Sequence, residues 1–74
     1  MLSKQEMTKL DNYATELQSK LKNTQIKSYY NCSNQKGYKF IYYNQPIFYT
    51  GVGDYNILIN KLYEGYKYIK NKET

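Results

Sequence analysis

The chain has 74 residues and a formal charge of +5, from eleven lysines against six acids; it holds eleven tyrosines, one cysteine and no histidine or arginine. That length allows one domain, 1–74; a single cysteine excludes an internal disulfide, and one thiol without histidine excludes a structural zinc site. General acid–base catalysis usually needs an imidazole or paired carboxylates, and the acids Glu6, Asp11, Glu16, Asp54, Glu64 and Glu73 are scattered, so no enzymatic activity, cofactor or metal is expected.

The first element reads as a helix. Ser3 followed three residues later by Glu6 forms a capping box, and Leu2 and Met7 stand where a hydrophobic staple would. Met7, Leu10, Ala14, Leu17 and Leu21 then recur at spacings of three and four, until Asn23-Thr24 ends the pattern. The period changes to two over 26–32, where Ile26, Ser28, Tyr30 and Cys32 alternate with Lys27, Tyr29 and Asn31, the signature of a strand. Residues 33–37 form a turn-rich connection, 38–43 a second strand, Asn44-Gln45 a short turn and 47–50 a third strand. Asp54 is an N-cap candidate for a final helix over 55–70, with Tyr55, Leu58, Ile59, Leu62, Tyr66 and Ile69 on one stripe and 71–74 expected to fray. The expected fold is α+β, a three-stranded antiparallel sheet flanked by an N-terminal and a C-terminal helix in the order α-β-β-β-α.

Two short motifs are read structurally. Cys32 is expected to fill a sheet face as a small apolar side chain. Gly51-Val52-Gly53 lacks the third glycine of a dinucleotide fingerprint, and Asp54 would repel a phosphate, so both glycines are read as turn residues.

Three surfaces exceed what a small core needs. The seam Met7, Leu10, Leu17 and Leu21 either packs on the chain's own sheet or forms a helix–helix dimer contact. On the final helix, Ile57, Lys61, Glu64 and Tyr68 lie opposite the core stripe and are candidate partner-binding residues. On the second face of the sheet, Lys27, Tyr29, Lys39, Ile41, Tyr43 and Phe48 could cluster, with Tyr29 and Tyr43 the candidate contacts, if both helices cover the other face. Tyrosine interleaved with lysine suits stacking on nucleic-acid bases or a tyrosine-rich protein interface. The lysine excess admits an acidic partner, but Phe, Tyr, Met, Ile, Asn and Lys together supply more than half of the chain, as an AT-rich gene would produce whatever the protein does.

In length, AT-rich coding, lone cysteine and tyrosine-laden strands, the whole chain resembles the early host-takeover proteins of phages of low-GC Gram-positive bacteria, and among them the sliding-clamp inhibitors of staphylococcal phages. Gln45-Pro46-Ile47-Phe48-Tyr49 is similar to the glutamine-plus-hydrophobic peptide that clamp-binding proteins insert into the clamp, departing from it in Pro46 and in Phe48-Tyr49 for the usual leucine–phenylalanine. The resemblance implies a homodimer that fills the clamp's DNA channel and blocks its loading. Such a channel is basic, so Glu6, Asp11, Glu16, Glu64 and Glu73 would have to segregate from the lysines. The leading expectation is therefore a non-catalytic inhibitor of a host DNA-replication protein, most specifically the sliding clamp. A nucleic-acid-binding module and an anti-defence or regulatory protein with another target are the alternatives. Without an apolar run of membrane-spanning length, and with one cysteine, the expected compartment is the host bacterial cytoplasm, with no membrane partner.

Overall fold

The computed structural model describes residues 2–73. Helix α1 spans Lys4–Ser19, strands β1, β2 and β3 span Thr24–Tyr30, Lys36–Tyr42 and Gln45–Val52, and helix α2 spans Tyr55–Glu73. The strands form one antiparallel sheet in the order β1-β2-β3, giving the expected α-β-β-β-α arrangement.

The start of α1 is closed as its sequence requires. The Ser3 hydroxyl accepts from the Glu6 N–H at 3.1 Å, and the Glu6 carboxylate accepts from the Ser3 N–H at 3.0 Å, satisfying two of the donors that a helix start leaves open. Leu10, Ala14 and Leu17 turn inward. The helix ends at Ser19, two residues before Leu21, which is still buried because the Leu21 N–H folds back onto the Gln18 carbonyl.

Antiparallel register places paired residues on the same face of the sheet. Ile26, Ser28 and Tyr30 of β1 therefore share a face with Phe40, Tyr38 and Lys36 of β2. Both helices lie on that face. Asp11 of α1 accepts a 2.5 Å hydrogen bond from Tyr38, and α2 rides on Phe40. The approach of α2 depends on Gly65, where an added Cβ would stand 2.6 Å from the Phe40 ring and 2.9 Å from that of Phe48. Leu10, Leu17, Tyr38, Phe40, Leu58, Leu62 and Ile69 fill the space between the layers. Neither helix covers the other face of the sheet.

Details depart from expectation at the turns. The β2–β3 reversal is Tyr43-Asn44, both left-handed (φ 51° and 67°), which is the two-residue turn whose twist suits a hairpin; Gln45 is already in β3. Tyr43 tolerates this conformation because Asn23 holds it, through its carbonyl to the Tyr43 N–H and its amide to the Tyr43 hydroxyl. β1 stops at Tyr30, so Cys32 is exposed in a loop, not packed on a sheet face; the Asn31 side chain organises that loop by accepting from the Ser33 and Gln35 N–H groups, each at 2.9 Å. Gly51 lies near the end of β3 rather than in a turn, yet its left-handed φ of 75° is a conformation that glycine adopts without strain. Residues 71–73 are helical rather than frayed. The Glu73 carboxylate accepts from the Lys22 N–H at 3.0 Å, and Lys70 reaches the Lys20 carbonyl, so the end of α2 is tied to the α1–β1 connection. Thr74 lies outside the described residues. Among the described residues no helix is long and apolar enough to cross a membrane.

Candidate functional site

The uncovered face of the sheet collects the side chains that an ordinary solvated surface has least reason to place together. Lys27 and Lys39 are direct cross-strand partners on it, an arrangement of like charges that costs stability. Tyr29 stands opposite Gly37, and its ring lies across the glycine: a Cβ on Gly37 would come within 2.8 Å of it. Tyr49, the β3 partner of Lys39, meets Tyr29 edge-on with ring centroids 6.0 Å apart. Ile41 extends the patch, between Gln25 and Pro46. Tyr49 is 56% exposed and Lys27 is exposed, while Tyr29, Lys39 and Ile41 are half-buried. The result is a shelf of two phenol rings beside two ammonium groups.

The strands supply no acid to neutralise this shelf. Between positions 24 and 52 the sequence has no aspartate or glutamate, and all six acids stand on or cap the helices. That gap is the signal in the sequence that marks the site most directly.

Two expected members of the patch are elsewhere. Phe48 faces the helices, against Phe40 (5.6 Å) and Tyr68 (6.1 Å), because an irregularity between β2 and β3 adds one residue after Pro46 and shifts the alternation. Tyr43, 62% exposed, sits in the turn at the far end of β2, edge-on to Tyr42 at 4.6 Å. Tyr29 and Tyr43 therefore do not form one contact surface.

On α2, Ile57, Lys61, Glu64 and Tyr68 are all exposed along one line of the helix, with Lys61 and Glu64 3.4 Å apart. Of the two readings of the α1 seam, packing in the chain's own core is the one the structure has, and the dimer contact is not. Leu10, Leu17 and Leu21 are buried in the chain's own core (0%, 3% and 7% exposed), leaving no surface for a second copy, and half-buried Met7 lines a cleft. The core has claimed the α1 stripe, since removing a leucine from water stabilises by about 2 kcal/mol.

The cleft measures about 650 Å³, between the start of α1, the β1–β2 loop and the β3–α2 connection, and includes Leu2, Met7, Tyr30, Lys36 and Asp54. Its cation is already engaged. Lys36 lies 3.2 Å from Asp11 and 3.2 Å from the Tyr30 hydroxyl, and above the Tyr30 and Tyr38 rings. Burial, foremost, and the hydrogen bond to Asp11 push the Tyr38 phenol well above its ordinary range. Lys36 and its partners hold α1 to the sheet. Among the described residues no three histidine, cysteine or acidic side chains converge to hold a metal.

Compared with protein-family models, curated proteins and solved structures, the chain matches none.

Proposed function

We propose that this chain is a non-catalytic binding module whose open sheet face takes a single-stranded nucleic acid. The observation that carries the reading is the Lys27–Lys39 pair, set beside Tyr29 and Tyr49 on a face without acids. Phosphates relieve the repulsion between the ammonium groups, and bases stack on the phenol rings. Without arginine the face lacks the side chain most used to read guanine, so binding is sequence-tolerant. Fluorescence anisotropy with a labelled oligothymidylate is the test. Affinity should fall steeply between about 50 and about 200 mM salt, as counterion release requires. Tyr49→Ala should weaken binding by about tenfold, the loss of one stacked base. Absence of binding at low salt, or binding that Tyr49→Ala leaves unchanged, would refute the reading.

A second reading keeps a protein target: an inhibitor of a bacterial replication protein such as the sliding clamp. Exposed Ile57 and Tyr68 on α2 favour it, since two apolar side chains on an outward helix face suit a protein contact. The charge layout does not, because each helix mixes its acids with lysines and offers no separate acidic surface to a basic channel. Affinity capture from nuclease-treated lysate of a low-GC Gram-positive host separates the two. A retained clamp supports the inhibitor, and partners lost with the nucleic acid support the sheet-face reading.

A further inference from the structure

The hairpin turn between β2 and β3 holds a residue that its backbone does not favour. A two-residue turn of this kind is ordinarily built from asparagine and glycine, because both positions need a positive φ. Here the first position is Tyr43, at φ 51° and 62% exposed. A bulky side chain in that region is strained, and such strain gathers at ligand clamps. Little burial repays it. The ring is fixed edge-on to Tyr42 and by the 2.9 Å hydrogen bond that its hydroxyl accepts from the Asn23 amide.

The fixed ring lines a hollow of about 310 Å³, together with Ile41, Gln25 and Asn44. The nitrogen of the Asn23 amide is spent on Tyr43, but the Gln25 and Asn44 amides make no hydrogen bond among the described residues. No lysine or acid lines the hollow, so it suits a base and not a phosphate. Ile41 also ends the shelf, and its ladder pair with Gln25 lies two residues, about 7 Å, along from Lys27 and Lys39. A strand whose phosphates meet the two lysines has its next base within reach of the hollow. Resting on the sheet-face reading, we infer that the hollow takes one base of the bound strand, and that this base is adenine. A carboxamide sets one donor beside one acceptor. Adenine answers Gln25 with N7 and its N6 amino group, whereas guanine offers only acceptors on that edge, and thymine a single one. A purine also offers Ile41 and Tyr43 the larger face. The shelf tolerates any sequence; the hollow does not.

Fluorescence anisotropy of the whole chain tests it, with oligothymidylate and with the same strand carrying one central adenine. The adenine strand should bind about tenfold tighter, the discrimination of one bidentate pair. The salt slope should be the same for both, because no phosphate contact is added. Gln25→Ala should remove the preference and leave oligothymidylate affinity near the wild-type value. Tyr43→Gly suits the turn better than tyrosine and so keeps the hairpin, and it should reduce the preference as well. Tyr49→Ala should weaken both strands alike. Equal wild-type affinity for the two strands, or a preference that survives Gln25→Ala, overturns the inference, while the sheet-face reading still stands on the binding of oligothymidylate. A central cytosine preferred to adenine overturns the choice of base. Failure to bind either strand at low salt ends both readings.

Discussion

A lysine enclosed between a helix and a sheet must keep partners for its charge, and Lys36 finds them in Asp11, the Tyr30 hydroxyl and two ring faces. Asp11, itself more than half exposed, also accepts from Tyr38, so one carboxylate ties two β2 side chains to α1. Tyr38 shows what this demands of a neighbour: its phenol must stay protonated, because the ionised form would be buried against a carboxylate. The sign of the pH dependence follows. The folded state raises the phenol above its free value of about 10, so the stabilising contribution is complete below that pH and is lost as pH rises beyond it, when the unfolded chain ionises first. Thermal melts across the alkaline range should show the wild type losing stability above about pH 10. Tyr38→Phe should begin about 1–2 kcal/mol less stable at neutral pH, from the lost hydrogen bond to a charged acceptor, and decline less steeply. Equal alkaline slopes for the two proteins would mean that Tyr38 ionises as freely folded as unfolded.

At the level of elements, α2 is set on the sheet by a residue that a helix would ordinarily avoid. Glycine costs a helix interior about 1 kcal/mol relative to alanine, so Gly65→Ala should stabilise α2 if propensity alone mattered. Here the new methyl would meet Phe40 at 2.6 Å and Phe48 at 2.9 Å. The helix must lift, and overpacking of this kind costs about 1–3 kcal/mol. Urea denaturation of Gly65→Ala should therefore show no gain and a net loss of up to about 2 kcal/mol despite the better helix former; a gain would place α2 farther from Phe40 than the structure has it. The fold was legible wherever local chemistry decided it: the Ser3–Glu6 box and the Asp54 cap stand where their sequence patterns put them, while the β1 alternation, expected over 26–32, lies at Thr24–Tyr30 and does not reach Cys32. The candidate site was half legible. Lys27, Tyr29, Lys39 and Ile41 follow from alternation, but Phe48 does not, because the extra residue after Pro46 has no mark of its own in the sequence. Which face the helices cover was likewise undetermined, since both faces of β2 carry aromatic or aliphatic side chains, and only the inward set Tyr38 and Phe40 meets Asp11 and Gly65. The α1 seam showed the complementary weakness: its spacing suits a partner helix and a sheet equally well, and Leu21 keeps that spacing after the helix has ended.

For the whole molecule, the decisive contrast is between charge that is merely plentiful and charge that is placed. An AT-rich gene explains eleven lysines anywhere on the surface; it does not explain two of them opposite one another on a face without acids. Two single substitutions with the same change in net charge separate these cases. Lys9→Gln removes an exposed lysine from α1, whose acids Glu6, Asp11 and Glu16 share the same helix. Lys27→Gln removes one member of the cross-strand pair. If net charge alone attracts the nucleic acid, both should weaken oligothymidylate binding equally. If the sheet face is the site, Lys27→Gln should flatten the plot of log affinity against log salt by about 0.7, one single-strand phosphate contact, while Lys9→Gln leaves the slope near the wild-type value. Stability should move in the opposite sense to affinity, because relieving two like charges across a ladder returns about 0.3 kcal/mol to the fold. A Lys27→Gln protein that melts higher and binds worse is what a surface retained for binding at a cost to the fold must produce, and one that melts higher yet binds as well as wild type would leave the pair to codon usage alone.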